Sequence, residues 1–305
     1  GDAASASEVL ERTDWGNAEE VVAALRRVPA SVLTPPLARR YAHALIDCGR
    51  YRDARDLGTG DELVLARVER RMGDYTTALS RLENVEPSFA SQLLRAELLR
   101  LLDRESESAL VLASCCPTTD DEQVALDYER ALLELTTSTE TALPADHYLA
   151  ARLSSYRAFE RRDCEEAARD AAVAHRRARN TIERIDASLD RLFAVFSAGE
   201  WDLARAVAVE ALQEVEETQG DRAAGGILFT LAYLAADAGQ WAHAAQRIAR
   251  LRHYYASTSD TVRLGEVQLL GAHLDFSRGR FVDARRAAQA VYDCRGRDQV
   301  REAAA

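Results

Sequence analysis

The feature that most constrains this chain is a short recurring phrase: Gly, any residue, an aromatic, two residues, then Ala. It reads Gly49-Arg50-Tyr51-Arg52-Asp53-Ala54 and Gly73-Asp74-Tyr75-Thr76-Thr77-Ala78 in the first third. It returns as Gly199-Glu200-Trp201-Asp202-Leu203-Ala204, Gly239-Gln240-Trp241-Ala242-His243-Ala244 and Gly279-Arg280-Phe281-Val282-Asp283-Ala284, these three at 40-residue spacing. Two degenerate copies keep only the Ala: Arg162, Cys164, Ala167 and Arg104, Ser106, Ala109. Each copy closes one apolar pattern of helical period and opens the next, the signature of a repeat architecture. Gly supplies the left-handed residue that ends the first helix. The aromatic covers the corner, and the Ala three residues later shares its face and admits close backbone approach.

Composition agrees. The chain is 47% hydrophobic and rich in Ala, Leu, Arg and Glu, all good helix formers, with only 15 Gly and 6 Pro among 305 residues. One compact core rarely grows to that length, whereas a repeat array packs each unit only on its neighbours. The expectation is all-α, a single array over 1–305, irregular through 15–162 and regular in 40-residue units over 181–295. Helices are predicted over 17–27, 182–198, 200–217, 222–238, 240–256, 260–278 and 280–295. Gly58-Thr59-Gly60 marks a short turn, Thr118 to Glu122 offers a cap and first-turn acids, and the stretch 104–145 is where a kink is expected.

Several chemistries are disfavoured. All 39 basic residues are Arg, so a phosphate-loop Lys and a Schiff-base Lys are both missing. A net charge of −11 opposes general nucleic-acid binding. Five scattered Cys and six His show no metal-ligand spacing and suit a reducing cytoplasm. No apolar run reaches the roughly 20 residues needed to cross a bilayer. The expectation is a cytoplasmic binding protein without catalytic residues, metal or cofactor. The opening Gly1-Asp2-Ala3-Ala4-Ser5 lacks Met and reads as a cleavage scar or the start of an excised fragment.

With Tyr41-Ala42…Gly49-Arg50-Tyr51…Ala54 and Leu231-Ala232…Gly239-Gln240-Trp241…Ala244, the chain resembles the tetratricopeptide repeat family from about residue 15 to 295. The resemblance implies a right-handed superhelix of helix pairs. The family unit is about 34 residues, so 40-residue copies imply longer helices. Such copies look like the sensor domain of maltose-regulator-type (MalT-like) ATP-binding transcription activators of the LuxR class in bacteria.

In that family the first helix of each pair lines the concave surface, at positions ten, six, three and two before the turn Gly. Carried over, these offsets place Tyr156, Phe159, Phe193, Phe196, Phe229, Tyr233, His273 and Phe276 in one groove. Five of the chain's 7 Phe fall there. Aromatic walls with few polar groups suit a small molecule or an apolar peptide. The same offsets put Arg39, His43, Asp47, Arg67, Arg70 and Arg71 at a polar, mostly basic end suited to an acidic partner. Two readings stand for each set: a ligand or partner surface, or inner aromatics packed on one another beside a solvated Arg face. The function implied is a ligand- or partner-sensing segment of a multidomain regulator, or alternatively a free-standing interaction scaffold.

Overall fold

The computed structural model describes residues 13, 17–29, 33–57, 60–134, 143–257 and 261–302, the side chains of 257, 261–262 and 294–302 excepted. Gly1–Ser5 and the Gly58-Thr59 part of the expected turn lie outside these residues. Among the described residues there are sixteen helices and no strand. In chain order they are α1 (Ala18–Leu25), α2 (Pro35–Asp47), α3 (Tyr51–Asp56), α4 (Glu62–Met72), α5 (Tyr75–Leu82), α6 (Phe89–Leu101), α7 (Glu105–Ser114) and α8 (Asp120–Leu133). They continue as α9 (Tyr148–Glu160), α10 (Cys164–Arg177), α11 (Thr181–Ser197), α12 (Trp201–Glu216), α13 (Ala223–Asp237), α14 (Trp241–Ser257), α15 (Thr261–Ser277) and α16 (Phe281–Glu302). From α11 to α15 every boundary falls within one or two residues of the expected one.

Helices pack in sequence, each on the next, and the first helices of successive pairs also touch one another, which puts them on the crowded inner side. This is a helical-repeat, solenoid-like arrangement. The recurring phrase is the joint. Gly49, Gly73, Gly199, Gly239 and Gly279 all have φ between 71° and 89°. At each, the following N–H bonds the carbonyl five residues back, as Arg50 does to Leu45 and Gln240 to Ala235. These are Schellman ends.

The two degenerate copies use the same turn without Gly. Arg162 sits at φ 62° and Asp103 at φ 58°. The second copy is therefore Asp103, Glu105, Ser108, one residue earlier than the sequence reading of Arg104, Ser106, Ala109. Ser108 is buried and donates its hydroxyl to the Ala96 carbonyl at 2.8 Å, while Ala109 faces outward. A Ser can stand in for Ala at this joint because its hydroxyl finds the facing backbone; Ser155 does the same to Ala167 at 2.9 Å. The facing pairs Ala42 with Ala54, Ala66 with Ala78 and Ala232 with Ala244 are likewise fully buried.

Arg162 bears a Cβ in a conformation that costs an L-residue roughly 1–2 kcal/mol. Arg162→Gly is expected to raise stability by about 1 kcal/mol, read as an upward shift in thermal midpoint. Asp103→Gly should gain less, because a short polar side chain tolerates this region better.

The irregular middle has a structural counterpart. α8 packs on α6, α7 and α9, as the first helix of a pair would. Residues 135–142, which follow α8, lie outside the described residues.

Candidate functional site

The inner face divides into an ionic interior and an aromatic strip. The interior forms because the array folds back on itself. The segment between α12 and α13 meets the first two Gly turns, about 170 residues earlier in the chain. Gln219 donates its backbone N–H to the Gly49 carbonyl at 2.9 Å, and Arg222 donates to the Arg71 carbonyl at 2.9 Å. The Gln219 side-chain carbonyl accepts from the N–H groups of Arg52 and Asp53, capping α3. Tyr254 on α14 donates to the Met72 carbonyl at 3.2 Å.

Arg71 lies at the centre, with 1% of its side chain exposed. Its guanidinium donates to both oxygens of Asp186 at 3.0 and 3.1 Å, and through Nε and Nη2 to Asp221 at 3.0 and 2.6 Å. Asp221 also accepts from the Tyr51 hydroxyl at 2.5 Å and from the Ala223 N–H at 2.8 Å, where it caps α13. A carboxylate this enclosed holds its charge only when donors surround it. Burial alone would raise the Asp186 carboxyl; Arg71 and Arg152 beside it hold it far below the usual carboxylate range. Arg152 continues the network to Asp190 at 2.7 Å, and Tyr156 donates to Asp190 at 2.9 Å beneath the same guanidinium.

The basic end expected from the sequence is thus largely spoken for. Arg71 is an internal tie and not an accessible contact, since both its carboxylate partners are buried with it. Arg70 pairs with Glu97, and Arg39 with Asp61 at 2.6 Å. Arg67 contacts the His43 Nδ1 at 3.1 Å. An Arg is always the donor, so His43 accepts there and carries its proton on Nε2. Tyr156, expected among the groove aromatics, belongs to this ionic network instead.

His43 and Asp47 share the inner face of α2 and are displaced in opposite senses. Burial, then Arg67, pushes His43 down to about 4. Burial pushes the Asp47 carboxyl up to about 6. For His43 the unfolded chain binds the proton first, so its contribution to stability is lost as pH falls from about 6.5 toward 4. For Asp47 the folded chain binds it first, so stability is gained as pH falls from about 6 toward 4. The two largely cancel in the wild type. His43→Gln removes one, and stability by urea denaturation is then expected to rise on the order of 1 kcal/mol from pH 6.5 to pH 4.5.

The aromatic strip lies on α11, α13 and α15. Phe196 meets Tyr233 edge-on at 5.4 Å between ring centres, and Tyr233 stacks on His273 at 4.7 Å. Phe196 also meets Trp201, and Phe276 meets Phe281, each at 5.3 Å, so the corner aromatics extend the strip. Phe193 and Phe276 are 43% and 60% exposed, Phe159 on α9 is exposed too, and Phe229 is partly buried against the α13–α15 core. The His273 Nε2 is buried with no hydrogen-bond partner. Phe196, Tyr233 and His273 pack on one another, while Phe159, Phe193 and Phe276 present their rings outward. A separate cleft of about 400 Å³ lies on the second-helix side, among Leu82, Arg95, Leu99 and Leu110 of α5, α6 and α7.

The partners of Arg71 were within reach of the sequence. Asp186 and Asp190 interrupt an otherwise apolar stripe of Ile182, Ile185, Leu189 and Phe193, and acids four apart on a buried face call for buried cations. Asp221 carried no such signal, since it lies in a turn. Among the described residues no helix is long and apolar enough to cross a membrane. No protein-family model matches the chain, and no curated protein sequence is similar to it.

Proposed function

We propose that this chain is a binding module rather than an enzyme, and that the strip Phe193, Phe196, Tyr233, His273 and Phe276 takes an apolar segment of a protein partner. The observation that carries this is the exposure of Phe193 on α11 and of Phe276 on α15, joined by the ring contacts of Phe196, Tyr233 and His273 that run between those helices through α13. Contiguous exposed apolar surface marks interaction sites, and Phe, Tyr and Trp supply much contact area for little lost freedom. The strip is open, whereas a small-molecule site encloses most of its ligand; a peptide or helix suits it better than a metabolite. An acidic partner at the N-terminal end is less favoured, because Arg39, Arg70 and Arg71 already hold carboxylates.

The Gly-turn spacing and 40-residue period support a right-handed tetratricopeptide superhelix acting in the cytoplasm as the partner-sensing segment of a bacterial multidomain transcription regulator. A free-standing interaction scaffold is the second reading. The native coding region on either side separates them: a nucleotide-binding module upstream with a helix-turn-helix downstream supports the regulator.

Binding itself is tested by selecting peptides from a display library against the full chain and measuring affinity by fluorescence polarisation. Phe193→Ala with Phe276→Ala, both at exposed rings, is expected to weaken binding at least tenfold with helical content unchanged. Selected peptides that bind this variant as well as the wild type would remove the strip from the assignment.

A further inference from the structure

The start of α11 rests on α1 and α2, with Ile182 packed against the core that those first helices form. Beside that contact lies a cavity of about 220 Å³. Its walls include Glu19 of α1, Asp47 and Cys48 at the end of α2, and Arg179, Thr181 and Arg184 at the start of α11. The volume is below the roughly 300–1,000 Å³ of pockets for drug-sized ligands, so its occupant is small.

The walls carry both signs of charge, held apart. Arg179 is committed to Glu183, which accepts from its backbone N–H at 2.6 Å and pairs with its guanidinium at 3.5 Å. Arg184 has only the Thr181 hydroxyl, at 3.1 Å. No hydrogen bond or ion pair reaches the carboxylate of Glu19 or of Asp47 among the described residues. Arg67 and Arg71 of the ionic interior answer the charge of Asp47 and Glu183 opposes it, yet burial still lifts its carboxyl to about 6. Both signs also reach the Cys48 thiol: burial lifts it most, Glu19 and Asp47 add to that, and Arg50 and Arg184 oppose it. Of those two cations, Arg50 is held by Asp53. The cavity thus separates Arg184 from Glu19 and Asp47, and none of the three touches a charged partner. A ligand of single sign would satisfy one wall and be opposed by the other, whereas a ligand bearing both charges answers each.

We propose that this cavity binds a free α-amino acid, with its carboxylate on Arg184 and its ammonium on Asp47 and Glu19. An α-amino acid carries both charges on one carbon, in a body small enough for this volume. Each end gains a charge-assisted hydrogen bond that the walls do not supply to one another. The first turn of α11 supports the carboxylate end. Asn180 caps the Glu183 N–H, while the N–H groups of Thr181 and Ile182 have no partner within the helix, and the helix dipole adds to the field of Arg184. The site shares no residue with the aromatic strip, so either assignment can fail without the other.

The test is isothermal titration of the full chain, near neutral pH, with the standard α-amino acids one at a time. At least one is expected to bind saturably and to raise the thermal midpoint, since it holds α11 against α1 and α2. Its amide, which lacks the carboxylate, and its N-acetyl derivative, which lacks the ammonium, should each bind at least tenfold more weakly, the worth of one charged hydrogen bond. Arg184→Met and Asp47→Asn should each cost as much, and Phe193→Ala with Phe276→Ala nothing. Should Arg184→Met lose its circular dichroism, Asp47→Asn, which keeps the shape of the side chain, carries the test alone. No binding by any amino acid, equal binding of the amide or of the N-acetyl derivative, or wild-type affinity in the Arg184→Met and Asp47→Asn variants each overturns the proposal.

Discussion

Arg71→Met is expected to lower the stability of the chain by about 3–5 kcal/mol, the range for breaking a buried ion pair from one side. The cost arises less from lost attraction than from what is left behind. Asp221, with none of its surface exposed, would keep only the Tyr51 hydroxyl and the Ala223 N–H. Asp186 would keep only Arg152, at 3.5 Å. A second substitution, Asp221→Asn on that background, should restore part of the loss, because one of the stranded charges is then gone.

The pH dependence separates this account from simple loss of packing. In the wild type the Asp186 carboxyl is held low, so its contribution is present above the ordinary carboxylate range and lost only as pH falls below it. Without Arg71, that carboxyl loses the largest of the cations that offset its burial and rises. The variant should then recover stability as pH falls from 7 toward 5, where the wild type does not. Urea denaturation at both pH values reads the difference. A deficit that stays constant between them would mean that Arg71 acts as a filler and not as a counter-ion.

The local joints of this fold were legible in the sequence, and its closure was not. Gly239, Trp241 and Ala244 specify a turn, a corner and a close approach by local stereochemistry, so the phrase alone placed five left-handed turns correctly. The register of the copy at Asp103 was lost for a physical reason: neither Gly nor Ala marks it, and Ser108 reaches the Ala96 carbonyl only once two helices have met. The interior is harder still. Arg67, Arg70 and Arg71 read equally well as a solvated face, since nothing local to α4 says that Asp221 will arrive about 150 residues later. Tyr51 illustrates the same point. As the corner aromatic of its repeat it was expected to cover a helix joint; it is fully buried because the α12–α13 segment lies over it and takes its hydroxyl. The equivalent Trp201, Trp241 and Phe281 remain between 43% and 61% exposed, which is how the same motif gives core at one end of the array and candidate binding surface at the other.

Glycine substitutions weigh that closure against the turn itself. Gly279→Ala puts a Cβ on a residue at φ 75° with nothing within 4 Å of it, so the expected cost is the left-handed conformation alone, roughly 1–2 kcal/mol. Gly49→Ala has the same φ problem, at 73°, and a second one: the new Cβ would stand 2.6 Å from the Thr218 Cγ2 and 2.9 Å from its Cβ. Thr218 cannot turn away. Its hydroxyl donates to the Val215 carbonyl at 2.6 Å, and a β-branched side chain has few other rotamers. Overpacking adds about 1–3 kcal/mol, so Gly49→Ala should cost about 2–5 kcal/mol in all. Thr218→Ser, which deletes the nearer methyl, should recover part of the loss in the Gly49→Ala background and nothing in the Gly279→Ala background. Thermal or urea denaturation of the four variants reads this directly. Equal costs at Gly49 and Gly279 would mean that the α12–α13 segment does not rest on the first turn in solution, and the buried setting of Arg71, Asp186 and Asp221 would fall with it.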